Sequence, residues 1–132
     1  MKGYITNIEE ATKENQNFRQ VLYTAKHSQL VLMTLKPGEE IGEEVHEDID
    51  QFFRFEDGEG KVVIDGTEHA VEDGSAVVVP AGAKHNVINT SSEEALKLYT
   101  IYSPPEHQDG VVRASKAEAE ASEEHFDGKT TE

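Results

Sequence analysis

The stretch Gly74-Ser-Ala-Val-Val-Val-Pro80-Ala-Gly82-Ala-Lys-His85-Asn-Val-Ile-Asn89 decides how this chain folds. Its β-branched run predicts a buried strand, and Pro80 and Gly82 supply the fixed and the permissive dihedrals of a tight turn. A second strand follows, and its first residues present a histidine. Such a strand-turn-strand unit aims an imidazole into the interior of a sheet fold.

The spacing G-x5-P-x-G-x2-H-x3-N, with Gly74, Pro80, Gly82, His85 and Asn89 all in place, resembles the second motif of the cupin superfamily. At ordinary composition a match of this kind arises by chance on the order of once in a million start points. The first cupin motif, G-x5-H-x-H-x(3,4)-E-x6-G, then belongs upstream. Aligned on Gly38 and Gly58 it gives Glu44, His46 and Gln51, with every spacing satisfied. Two positions depart from the pattern: Glu44 stands at the first histidine and Gln51 at the glutamate. Both replacements keep a donor oxygen.

The resemblance covers about residues 19–105 and implies an all-β chain, a cupin double-stranded β-helix (jelly-roll) barrel with a short C-terminal helix. It is a single domain over residues 1–132, of the kind often likened to mannose-6-phosphate isomerase, with residues 106–132 as a tail. The implied metal ligands are Glu44, His46, Gln51 and His85. Neutral imidazoles and hard oxygens suit a divalent transition metal, whether iron, manganese, nickel, cobalt, copper or zinc. The family's usual three histidines and one glutamate carry one negative charge; this set also carries one, moved to the first position.

Outward from the two motifs the pattern is mostly that of strands. Residues 19–25 and 29–35 alternate with period two around a polar break at Lys26-His27-Ser28, predicting an antiparallel hairpin with His27 in its turn. An extended run over residues 41–48 would put Glu44, His46 and Asp48 on one face. With Gln51 inward, Phe53 and Phe55 point inward too and Arg54 outward. Asp65-Gly66 marks a two-residue hairpin turn, with His69 exposed beside it. A strand over residues 95–102 ends at Pro104-Pro105, which leaves Tyr102 and His107 at the barrel mouth.

The flanks read as helix. Asn7, with Glu10 three residues on, predicts one or two helical turns near the N-terminus. Ser115 with Glu118 forms a second capping signal, and residues 118–126 favour a loosely docked helix ending near Asp127-Gly128.

Twelve basic residues against 27 acidic ones give a formal charge of −15, which opposes binding to nucleic acid or anionic lipid. No cysteine is present, so disulfides and thiolate metal sites are excluded. No apolar run reaches the length of a membrane span, and a cytoplasmic setting is expected. One reading is a metal-dependent enzyme of dioxygenase or isomerase/lyase type, acting on a small oxygenated organic molecule. Glu44 would then serve as ligand and proton acceptor, and Tyr102 or His107 as an acid beyond the metal. The alternative is a non-catalytic barrel that binds a small ligand or a metal. Either form is expected to be a homodimer built through exposed strand edges.

Overall fold

The structure, a computed structural model, describes residues 1–132. Ten strands and two short helices follow in the order α1 (Ile8–Glu14), β1 (Arg19–Thr24), β2 (Gln29–Leu35), β3 (Glu44–Val45), β4 (Asp50–Asp57), β5 (Glu59–Ile64), β6 (Thr67–Glu72), β7 (Ala76–Val79), β8 (Lys84–Asn89), β9 (Leu96–Ser103), β10 (Val112–Arg113) and α2 (Lys116–Ala121). All strand pairs are antiparallel. They form a six-stranded sheet, β10-β1-β2-β9-β4-β7, and a four-stranded sheet, β3-β8-β5-β6. Two such sheets facing across one core make the jelly roll. Neither helix is long and apolar enough to cross a membrane.

The registers align the inner residues in rows, and the rows change character along the barrel. At one end Leu35 pairs with Leu96 and Met33 with Leu98, which pairs in turn with Phe55; all are buried. Next come Val31, Thr100 and Phe53. At the other end the row is Gln29, Tyr102 and Gln51, buried but polar. The opposite sheet runs the same way: His85 sits at the polar end, Val87 in the middle, and Asn89 closes the apolar end. There Asn89 donates from Nδ2 to the carbonyls of Leu35, Lys36 and Glu94 at 2.8–3.1 Å. Hydrophobic burial therefore seals one end and leaves the other for chemistry.

Local sequence signals set most of the elements. Asn7 caps α1 by accepting from the Glu10 N–H at 3.0 Å. Asp65 and Gly66, at φ 46° and 84°, form the tight turn between β5 and β6 that a two-residue hairpin demands. His27 and His69 are exposed, as their turn positions imply.

Two expectations fail. Asp48 does not share a face with Glu44 and His46, because the extended run breaks into a turn at Glu47-Asp48 and carries Asp48 into solvent. The tail helix is capped by Ser115, which accepts from the Glu118 N–H at 3.2 Å, but it stops at Ala121 rather than running to Phe126. Beyond it the chain is not loosely docked. The Phe126 N–H bonds to the Glu106 carbonyl at 2.7 Å, the Thr131 N–H bonds to the Thr24 carbonyl at 2.9 Å, and the Glu132 carboxylate receives Tyr23 Oη, Lys2 N and Gly3 N.

Candidate metal centre

The turn predicted from Pro80 and Gly82 clamps the loop that carries the other candidate ligands. The Gly82 N–H donates to the His46 carbonyl at 2.9 Å, and the Ala81 N–H donates to Asp50 Oδ1 at 2.9 Å. Glu44 on β3 is the direct partner of His85 on β8. Gln51 enters from the other sheet, on β4 beside Tyr102 of β9. Four chain segments thus converge at the polar end of the barrel.

One donor atom each from Glu44, His46 and His85 lies within 4.8 Å of the others, with His46 Nε2 at 3.8 Å from Glu44 Oε2. His85 Nδ1 is 3.2 Å from the Ala83 carbonyl. Donation there fixes the tautomer and leaves the Nε2 lone pair facing inward. Gln51 donates from Nε2 to Thr100 Oγ1 at 3.0 Å, so its amide oxygen is the free end. His46 Nε2, His85 Nε2 and Gln51 Oε1 are all buried without a hydrogen-bond partner. Buried polar atoms rarely stay unpaired, because each forfeits its hydration. Two imidazole nitrogens and a carboxylate within 4.8 Å of one another fit a divalent cation, and the Gln51 amide oxygen is a further acceptor left free by its neighbours in the fold.

Burial shapes the protonation of these groups. Desolvation raises the Glu44 pKa, opposed by the His85 and Arg19 charges. It lowers that of His46, whose Nδ1 faces Glu106 Oε2 at 3.8 Å, a carboxylate that works in the opposite sense. Tyr102 is raised, first by burial and then by the Glu44 charge, so its hydroxyl stays protonated. The edge of its ring meets His46 at 5.9 Å between centroids. Phe53 packs against His85 at 6.1 Å and Phe55 against Phe53 at 6.4 Å, flooring the site as expected.

Sequence reasoning missed Arg19, Glu106, Thr100 and Glu124. Glu124 is buried among Arg113 Nη2 and His107 Nδ1, each at 3.1 Å, and Arg19 Nη1 at 3.9 Å. Only Arg19 left a trace in the sequence, since it shares a strand face with the buried Val21.

Comparison with known proteins agrees with this fold. The family described as "Cupin domain" matches residues 31–102. An uncharacterized protein of Bacillus subtilis (strain 168), YrkC, is 48% identical over 129 residues, covering 93% of this chain and 69% of its own. A second uncharacterized protein, L612 of Acanthamoeba polyphaga mimivirus, is 42% identical over 123 residues, covering 90% and 76%. The crystal structure of BH2720 from Bacillus halodurans superposes with a TM-score of 0.89 at 42% identity, covering 92% of this chain and 96% of that one.

Proposed function

The chain belongs to the cupin family, and we propose that it binds one divalent transition metal through Glu44, His46, His85 and the Gln51 amide oxygen and uses it to transform a small oxygenated organic molecule. The observation that carries this reading is the cluster of Glu44, His46 and His85 donor atoms within 4.8 Å of one another, with His46 Nε2, His85 Nε2 and Gln51 Oε1 all buried without partners. When bound, a metal here supplies Lewis acidity for an isomerase or lyase reaction, or a binding position for dioxygen.

The chain's own groups do the rest. His85 is held in orientation by the Ala83 carbonyl, and the Glu106 carboxylate, 3.8 Å from His46 Nδ1, acts on that ring through its charge. Phe53 and Phe55 exclude water beneath the ligand. Tyr102, held protonated by burial, would turn its hydroxyl from His107 Nε2 to donate to an oxygen developing charge. Glu44, the carboxylate of the cluster, is the residue assigned to take a proton.

In this reading the protein acts as a homodimer, with its interface on the outer face of the large sheet rather than at strand edges. The strand registers there line up an uncharged row on the face turned away from the core.

The test is elemental analysis of tag-free protein. Wild type and His69→Ala are expected to carry near-stoichiometric metal, and His46→Ala and His85→Ala next to none. Equal metal in all four, or none in any, would overturn the site. The metal found then directs the substrate screen, with dioxygen consumption measured first for iron, copper or nickel.

A further inference from the structure

We propose that the ligand of this site is a small oxyanion, a carboxylate in the first instance, held at its far end by the Arg19 guanidinium. The inference rests on the metal centre argued above and adds to it the chemical class of what binds there.

A cleft of about 210 Å³ opens outward from Glu44, and Arg19 forms part of its wall with Phe18 and His107. The Arg19 side chain is only 13% exposed, and its guanidinium carbon stands 5.5 Å from the centre of the Phe18 ring. Arg19 makes no hydrogen bond. Its Nε is buried with no partner, and the nearest carboxylate, Glu124, is 3.9 Å from Nη1, beyond hydrogen-bonding distance. Glu124 is itself held by His107 Nδ1 and Arg113 Nη2 at 3.1 Å, which anchors its carboxylate away from the Arg19 fork. A guanidinium has five donors in a planar fork, and here the Nε–H of that fork is shut away from water with no acceptor, which is unfavourable. Such a fork matches the two oxygens of a carboxylate.

Of the cleft's other charges, Glu106 pairs with His125 at 3.1 Å, Glu123 has no partner, and Lys116 lies 3.8 Å from Glu120 with a side chain 26% exposed, so water reaches it. Glu44 faces the metal position, and the Arg19 charge reaches it, opposing the rise that burial imposes on its pKa. Arg19 is therefore the more buried of the cleft's two cations, and no side-chain hydrogen bond holds it. The formal charge of −15 repels anions at long range, so recognition depends on this short-range fork and not on the field of the surface.

The probes are malonate and its half-amide malonamate, which share one carboxylate and differ at the other end. Calorimetric titration of the metal-loaded wild type is expected to favour malonate by about tenfold, the scale of charge-assisted hydrogen bonds. Arg19→Gln should abolish that preference with metal content unchanged. Arg19→Lys, which keeps the charge and loses the fork, should reduce it, and this comparison carries the test if the glutamine variant fails to fold. Metal content measured on the same samples separates the two readings. Wild type without metal sinks the metal centre. A metal-replete wild type that does not distinguish the probes, or an Arg19 variant that still does so fully, overturns the oxyanion site alone.

Discussion

His107 shows how one residue joins the tail to the site. Its Nε2 lies 3.3 Å from Tyr102 Oη and its Nδ1 3.1 Å from Glu124 Oε1. A neutral ring that donates to Glu124 and accepts from Tyr102 satisfies all three groups. Burial, reinforced by the Arg19 and His46 charges, pushes the His107 pKa down to about 3. Between that value and the ordinary 6.5, the unfolded chain holds a proton that the folded chain refuses, so stability rises with pH across this window and is lost as pH falls through it. The contribution has a slope of at most about 1.4 kcal/mol per pH unit. His107→Gln should be less stable than wild type near neutrality yet lose less on acidification. Urea unfolding at pH 7 and pH 5 checks this, and equal losses in both proteins would refute it. The partners of His107 also mark where sequence reading stops. The clustering of Glu44, His46 and His85 was legible because each sits at a fixed offset from a turn glycine, and strand alternation does the aiming. Glu124 was not, because its partners come from β1, β10 and the loop after β9, and nothing within its own acidic run distinguishes it from a solvated carboxylate.

At the scale of elements, two glycines with similar dihedrals separate turn chemistry from packing. Gly66 (φ 84°) closes the β5–β6 hairpin with open space where a side chain would begin. Gly58 (φ 90°) joins β4 to β5, and a Cβ there would fall on the Ala95 carbonyl oxygen and the Leu96 Cα. Gly66→Ala should cost about 1–2 kcal/mol from the left-handed backbone alone. Gly58→Ala adds a clash with a backbone that cannot move without shifting β9, for a total of about 2–4 kcal/mol. Equilibrium urea unfolding ranks the two, and equal costs would remove the packing role assigned to Gly58. The hairpin and both helix starts were readable because turns and caps are decided within a few residues. The end of α2 was not. Short helices have little stability of their own in water, so tertiary contacts decide where they stop. Here the buried ion pairs of Glu124 and the bond from Phe126 N to Glu106 O draw the chain away after Ala121. The turn that takes Asp48 outward is tertiary in the same sense, since the neighbouring Asp50 carboxylate is tied to the Ala81 N–H across the barrel mouth.

For the whole molecule, the outer face of the large sheet is where the binary pattern is broken. An antiparallel sheet usually turns a polar face to water. Here the registers place Tyr23 beside Leu30, Leu30 beside Ile101, Ile101 beside Phe52 and Phe52 beside Val78, an apolar row five strands wide on the side away from the core. Helix α1 packs over β9, β4 and β2. Val78 at the end of the row is still 65% exposed. The occupant argued for is a second copy, because the pattern is self-complementary. Asp50 and Arg54 flank Phe52 at two residues on either side of the same strand face, so a two-fold axis along the row sets Arg54 of one copy, which also pairs with its own Glu56 at 3.0 Å, over Asp50 of the other. With a charge of −15 on each chain, this uncharged row is also where two copies meet with least repulsion. Light scattering of wild type is expected to give a dimer. Ile101→Lys combined with Val78→Lys should give a monomer that keeps its metal, and a wild type monomeric at high concentration, or a variant that still dimerises, would refute the interface. Lysine is the informative choice because it lowers the net negative charge. Dissociation would then follow from breaking the apolar contact, since the overall repulsion between copies has been reduced.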